Sequence, residues 1–593
     1  MHAYRCVLTG PSYSTAKYDY SSQLKELDGH RPELPETNPL LRGAHHSPLR
    51  VAAWSAALRA HPDTEFVGYL LEGIQHGFRI GFNYKNNHTR SIHANLSSAK
   101  DHPDIIGKYL AIECAKGRML GPFPIASMPD IQINRIGVIP KKSSSNKWRL
   151  ITDLSFPPGK SVNDGINPEL TTLSYINVDQ IALKITQLGR GSQLSKMDIE
   201  EAYRIVPIHP DDRHLLGCQS DNQVYIDISL PFGLRSAPII FTALADALQW
   251  VIEQRGTSHV AHYLDDFVTV GTPNTDQCYI NQQIICRTCQ ELGIPLAPHK
   301  TVGPSTCLVF LGIEIDTIAM ELRLPQEKLH KLQELLQEWQ FKKTCTRHSL
   351  ESLLGYLNHA CKVVRPGRSF IGRLIAMLTQ AKRTHRTMIR INSEARSDIR
   401  WWHLFVSSWN GVSMLQDQLR KHPNHELWSD ASGSWGAGAL WDSHWFQMKW
   451  PASLQSCQIA IKELIPITLA CAIWGKYWVK SVIRANCDNE AVVTIINSGY
   501  TQEPFLMHLL RCIFFLSAKF EFSLTVAHVP GRKNTLADAI SRDNATLFLS
   551  LSPQADRMPT EVPQDLIDKL LVEKPDWTSN SWTLWFHTTF NAP

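Results

Sequence analysis

Two adjacent acids, Asp265 and Asp266, interrupt the otherwise apolar run His262–Gly271, HYLDDFVTVG. The flanking pattern reads as two short strands joined by a tight turn. Placing neighbouring carboxylates there is costly unless a cation meets them. A polar hairpin tip is the bland alternative, because Asp tolerates turn conformations. A metal site on a rigid hairpin is the sharp one. The pair alone leaves both open.

At 593 residues the chain is too long for one hydrophobic core and long enough for several domains. No apolar run reaches the roughly 20 residues that would span a bilayer, so no membrane association is expected. The first residues, MHAYRCVLTGPSYSTAKYDY, lack the apolar core of a signal peptide. The expectation is an intracellular protein of cytoplasm or nucleus. Thirteen scattered Cys suit reduced thiols rather than a disulfide framework. Cys286 and Cys289 form a CxxC, but no second ligand pair stands at zinc spacing. Sequons at Asn87, Asn95 and Asn544 carry little weight without a secretion signal.

The net charge of +5 is unevenly spread. Between Arg323 and Arg400 there are 16 Lys and Arg against 6 Asp and Glu. A helix-rich segment with that excess suits a polyanion, and a solvated basic face is the alternative. The stretch KRTHR at Lys382–Arg386 reads as an edge of that surface or as a nuclear address.

Helical spacing marks AAWSAALRAH and IIGKYLAIECAKG, and strands and helices then alternate from INRIGVIPK to about Glu321. Helical periodicity returns in QEKLHKLQELLQEWQ, SLESLLGYLNHAC and SFIGRLIAMLTQAKR. A strand-rich unit follows from LWSDASGSWGAGALW to DAISRD.

Upstream of the hairpin, Asp198 ends a short strand in LSKMDIEEAYRIVPIHP. If the two strands are sheet neighbours, Asp198, Asp265 and Asp266 converge. Two Mg²⁺ between them would neutralise the charge, activate a 3′-hydroxyl and stabilise a leaving pyrophosphate. The ordered series KWRLITDLS, KMDIEEAY, LPFGLRSAP, YLDD, LAPHK and FLGIEI resembles the reverse transcriptase motifs over roughly Ile133 to Asp316.

That resemblance implies that Asp198, Asp265 and Asp266 bind two Mg²⁺, with Mn²⁺ a substitute. Arg149 and Lys141 would hold the triphosphate of an incoming dNTP. Tyr203 would be the aromatic gate against a 2′-hydroxyl, favouring DNA synthesis. Phe232 stands where retroviral enzymes carry Gln and Gypsy-type enzymes carry Phe. Lys300 is the candidate for protonating pyrophosphate. Structural alternatives exist: Arg149 as a surface charge, Tyr203 as a core aromatic.

Four further acids follow: Asp430 in a strand, Glu463 opening a helix, Asp488 ending a strand and Asp538 on a helix. Singly, Asp488 reads as a helix N-cap and Glu463 as part of a solvated first turn. In this order they resemble the RNase H family, whose fold gathers four carboxylates around two Mg²⁺ to cut the RNA of a hybrid. His528, in HVPGRKNTLADAISR, lies away from that family's mobile His and is not expected to be catalytic.

Between the two acidic sets, LGYLNHACKVVRPGRSFIGRL resembles the thumb of DIRS-type retrotransposons, related to Gypsy-type and retroviral enzymes. SDASGSWGAGALW and HPDTEFVGYLLEGIQHGFRIGF resemble other parts of that group. The fold implied is α+β and multidomain: a right-hand polymerase with fingers, an antiparallel palm sheet and a helical thumb, then an α/β RNase H-like domain. Expected boundaries are a poorly ordered 1–45, a helical extension 46–125 and fingers and palm 126–322. Thumb and connection 323–423, the RNase H-like 424–543 and a linker 544–593 follow.

Arg365 and Arg368 would grip template–primer phosphates. The partners implied are an RNA template, a DNA primer, the RNA–DNA hybrid and dNTPs, with oligomeric state open. KPDWTSNSWTLWFHTTFNAP resembles the entry to the tyrosine recombinase of such elements. The 50 residues after Asp543 hold no Tyr, so a polyprotein fragment able to make cDNA but not to insert it is expected. A host-adopted nucleic-acid-binding relic and an RNA-directed RNA polymerase are the competing readings. Retention of all seven carboxylates speaks against the first; Tyr203 and the RNase H-like unit speak against the second.

Overall fold

A computed structural model of the chain describes Leu24, Leu27 and residues 39–42, 45–84, 92–140, 148–171, 173, 175–381, 388–408, 412–413, 423–479 and 481–571. It divides into two compact units, Met1–Asn177 with Gly191–Leu308, and Val178–Arg190 with Val309–Pro593. Among the described residues no helix is long and apolar enough to cross a membrane.

Among the described residues of the first unit, two sheets are built from nine strands. These are β1 (Met119–Pro124), β2 (Ile133–Pro140), β3 (Trp148–Asp153), β4 (Gln193–Asp198) and β5 (Gly217–Ser220). Then come β6 (Gln223–Asp227), β7 (Val260–Tyr263), β8 (Asp266–Gly271) and β9 (Val302–Ser305). One sheet runs β1-β6-β5-β2-β3, the other β7-β8-β4-β9. In the latter, β4 is antiparallel to both neighbours, so the end of β4 meets the start of β8.

Behind these strands lies the helix Ala237–Gln254, which carries Pro238 in its first turn and is buried on nearly every face. Its approach, LPFGLRSAP, is fixed by side chains. Asn163 donates to the Gly233 carbonyl and accepts from the Arg235 amide, and the Arg235 guanidinium caps the Asn163 and Ile166 carbonyls. Gly233 has φ +97°, and a Cβ there would lie 2.7 Å from the Thr152 carbonyl oxygen. Only glycine fits that turn. Leu24 and Leu27, from the stretch expected to be poorly ordered, are buried in one apolar cluster with Phe78 and Ile80, and Leu41 is buried in another with Met128 and Ile131, because they cover surface that would otherwise face water.

In the second unit, the span expected to be a thumb is helical: Gln326–Trp339, Arg347–Ala360, Gly372–Gln380 and Ser393–Ser408. The hairpin Ile313–Asp316/Glu321–Arg323 falls with this unit because Glu321 and Leu322 pair with Ser413 and Val412. A five-stranded mixed sheet follows. His425–Ala431 is central, antiparallel to Gly436–Trp441 and parallel to Val482–Cys487. His444–Lys449 and Ser523–His528 form the edges. The segment read as a linker folds onto one of them. Asp556 and Thr560 amides donate to the Ser443 and Trp445 carbonyls, and Phe548 is buried against Trp445. This covers an edge that would otherwise offer unpaired backbone groups.

Candidate functional site

The first acidic cluster is set by strand register. Asp198 and Asp266 are direct partners across β4 and β8, and Asp265 occupies the two-residue turn between β7 and β8. The Ile199 amide donates to the Asp265 carbonyl at 2.9 Å, pinning the turn to the end of β4. Leu264 in that turn has φ +53°, a left-handed conformation costing a side-chain-bearing residue about 1 kcal/mol or more. Burial, and then the charges of Asp198 and Asp266, push the Asp265 carboxyl above the usual carboxylate range. Three acids this close need cations.

Two lysines supply them in this structure. Lys300 Nζ lies 2.7 Å from Asp198 Oδ1, and Lys196 Nζ lies 3.2 Å from Asp266 Oδ1. Lys300 is delivered by the 295–300 segment, tied to β4 by the Glu200 amide to the Pro295 carbonyl and the Ala297 amide to the Asp198 carbonyl. The hydrogen bond to Asp198 raises the Lys300 ammonium above its ordinary value. Sequence reasoning missed Lys196. Its signal was the two-residue strand period, which puts Lys196 and Asp198 on one face of β4.

Tyr203 follows β4 in a short 3₁₀ turn, Ala202–Ile205. It is half-buried, with its ring 5.4 Å from Phe232 and 5.5 Å from Phe241. Burial, with contributions from Tyr175 and Asp265, pushes its hydroxyl up, so it stays neutral. The exposed Arg149 guanidinium lies 5.9 Å from the centroid of the half-exposed Phe232 ring. Arg149, Phe232, Tyr203 and Asp265 are thus linked in sequence by contact or charge. Lys141 and the KRTHR stretch lie outside the described residues, as does the Arg365 side chain. Arg368 is exposed. Cys286 and Cys289 sit on the helix Gln277–Leu292, and among the described residues they join no metal-ligand group.

The second acidic cluster lies in the five-stranded unit. Asp430 is on the central strand, opposite Gly438. A Cβ on Gly438 would meet Ile540 at 2.2 Å, so glycine lets the helix Thr535–Ser541, which carries Asp538, sit close over the strand. Ser541, the last residue of that helix, and Asn534, just before its start, donate hydrogen bonds to Asp430. Arg542 Nε is 2.6 Å from Asp538 Oδ1. Asp488 does not cap the following helix. Asn489 does, accepting from the Ala491 and Val492 amides, which leaves the Asp488 carboxylate for the cluster.

Nor is Glu463 solvated: it is 5% exposed, and its Oε2 is buried without a hydrogen-bond partner. Burial and the charges of Asp430 and Asp488 push Glu463 up to about 9. Burial, Asp488 and Asp538 push Asp430 up to about 6. Glu463, Asp488 and the buried Cys487 present ligand atoms within 4.8 Å of one another. An orphaned buried carboxylate oxygen among mutually repelling acids is what a hard divalent cation satisfies, and both carboxylate sets suit Mg²⁺ in ligand type. His528 is exposed at the end of an edge strand.

Residues 139–315 match the family described as "Reverse transcriptase (RNA-dependent DNA polymerase)". The chain is 24% identical over 432 residues to Polyprotein P3 of Commelina yellow mottle virus, covering 69% of this chain and 20% of that one. It is 21% identical over 426 residues to the Transposon Tf2-3 polyprotein of Schizosaccharomyces pombe, covering 68% and 28%. The chain therefore spans between about a fifth and a third of these relatives' length. A solved foamy viral protease–reverse transcriptase in complex with RNA/DNA hybrid is similar at TM-score 0.45 and 14% identity, covering 84% of this chain and 65% of that one. The chain contains a reverse transcriptase domain, and its relatives include polyproteins of viruses and of the Tf2 transposons.

Proposed function

We propose that this chain copies RNA into DNA at the first acidic cluster and degrades the RNA strand of the resulting hybrid at the second. The observation that carries the polymerase reading is the pairing of Asp198 with Asp266 beside Asp265, inside the matched family span. Those three carboxylates would hold two Mg²⁺, or Mn²⁺ in their place. Bound there, the ions supply Lewis-acid activation of a primer 3′-hydroxyl and charge stabilisation of the leaving pyrophosphate.

The chain's own groups do the rest. Arg149, with Lys141, binds the triphosphate of the dNTP. Phe232 and Tyr203 wall the sugar, and Tyr203 leaves no room for a 2′-hydroxyl. Lys300 carries a proton towards pyrophosphate once Asp198 releases it. Arg365 and Arg368 hold template–primer phosphates through charge.

The nuclease reading rests on the buried, unpartnered Glu463 Oε2 facing Asp430 and Asp488. Asp430, Glu463, Asp488 and Asp538 would hold the second pair of Mg²⁺. The thumb-like and neighbouring motifs support a DIRS-type retrotransposon as the source element, working inside the cell.

Primer extension by the purified chain on poly-rA/oligo-dT with Mg²⁺, alongside cleavage of a labelled RNA–DNA hybrid, tests both halves. Mg²⁺-dependent dTMP incorporation and RNA cleavage are expected. A folded protein with neither activity would overturn the reading in favour of a non-catalytic relic.

A further inference from the structure

The residue after Tyr203 is an arginine that the proposed chemistry does not use, yet it is 5% exposed. Arg204 Nε and Nη2 each lie 2.9 Å from Glu113 Oε2. Its Nη1 lies 2.7 Å from Asp227 Oδ1 and donates to the Ser229 and Leu230 carbonyls at 3.1 and 3.4 Å. One guanidinium therefore joins three pieces of chain. They are the helix Pro103–Ala115, which carries Glu113, the end of β6, and the backbone leading to Phe232.

Arg118 and Lys116 complete the cluster by pairing with Glu201, so three cations meet three carboxylates. A small cleft lined by Tyr109, Leu150, Thr152, Arg204 and Asp227 lies against Phe232. Buried ion networks are a weak way to gain stability, because desolvating each charge offsets most of the attraction. What such a network does well is fix geometry. Here the fixed objects are the two aromatic rings, Tyr203 and Phe232, which stand 5.4 Å apart.

We propose that Arg204 is a positioning residue: by holding Glu113, Asp227 and the Ser229–Leu230 backbone on one guanidinium, it fixes Tyr203 against Phe232 and so sets the choice between deoxyribo- and ribonucleotides. This rests on the polymerase reading above. It also makes Glu113, which lies outside the matched span 139–315, part of the apparatus that chooses the sugar. The planar fork is essential, because an ammonium on a flexible stem does not hold two carboxylates and two carbonyls in one plane.

The test compares kcat and KM for dGTP and GTP on a heteropolymeric template–primer in wild type, Tyr203→Val, Arg204→Lys and Glu113→Gln. Arg204→Lys retains the buried charge. Glu113→Gln leaves Arg204 paired with Asp227, and carries the test if the lysine variant does not fold. The preference for dGTP, as a ratio of kcat/KM values, should fall about tenfold or more in either variant, mainly through a lower KM for GTP. A loss of folded protein cancels in that ratio, so a merely structural role would leave it unmoved. A folded variant with wild-type preference, when Tyr203→Val has lost it, overturns the assignment. An unchanged ratio in Tyr203→Val itself, or no synthesis by wild type, overturns the underlying gate or polymerase reading instead.

Discussion

Lys300 Nζ lies 2.7 Å from Asp198 Oδ1, so the candidate proton donor is tied to a candidate metal ligand. Two roles follow from that contact, and they separate by experiment. As a general acid, Lys300 contributes on the order of 10²-fold or more to turnover. Lys300→Met should then lower single-turnover incorporation by about that factor with little change in dNTP affinity. If the lysine only neutralises Asp198, the variant should instead need less Mg²⁺ for half-maximal rate, at unchanged maximal rate. Titrating Mg²⁺ in both proteins decides between them.

The two acidic clusters draw their ligands from different units, so their activities should come apart. Asp265→Asn is expected to abolish DNA synthesis and spare hybrid cleavage, and Asp488→Asn to do the reverse. The amide at position 265 also removes a carboxylate that burial and two neighbours hold in an unfavourable charge state. Its metal-free melting temperature should therefore match or exceed that of wild type. Loss of both activities in one folded single variant would sink the two-site reading.

At Tyr203 the ring contacts with Phe232 and Phe241 predict which replacements survive. Tyr203→Phe keeps the ring and should keep dNTP selectivity. Tyr203→Val, which frees the space of the ring, should incorporate ribonucleotides at least about tenfold more efficiently relative to dNTPs. Competing rNTPs in a sequencing-gel extension assay report this directly, and equal discrimination in the Val and Phe variants would dismiss the gate.

Replacing Arg365 and Arg368 with Ala should weaken template–primer binding with little sequence preference. For every phosphate no longer neutralised, the slope of log affinity against log salt should flatten by about 0.9 on B-form duplex. A slope identical to wild type would remove both residues from the binding surface.

What the sequence made legible was local. Asp198, Asp265 and Asp266 belong to short motifs whose strand-and-turn pattern already implies their geometry, and register then brings them together. The helical span after Arg323 was legible from its periodicity. Pairings between distant segments were not. Glu113 meets Arg204 across 91 residues, and His444 meets Asp556 across 112. No local periodicity encodes either pair. In the sequence Asp488 reads as a helix cap, which misses the cap by one residue, because only the hydrogen bonds of Asn489 identify it.

Glu463 gives the last prediction its sign. Its folded-state value of about 9 lies above the ordinary glutamate value near 4.5. The folded state therefore holds a proton that the unfolded state releases between those two values. Stability from this group is fully present below about pH 4.5 and is lost as pH rises towards about 9. With the side chain 5% exposed, the loss is on the order of a few kcal/mol. A divalent cation at Glu463 Oε2 would offset it by favouring the carboxylate. Thermal melts without metal should thus show the second unit becoming less stable from pH 5 to pH 9. Mg²⁺ should raise the midpoint most at the alkaline end. Glu463→Gln should flatten the metal-free pH dependence and remove most of the Mg²⁺ effect. Unchanged pH and Mg²⁺ responses in that variant would show that the buried carboxylate is neither the titrating group nor a metal ligand.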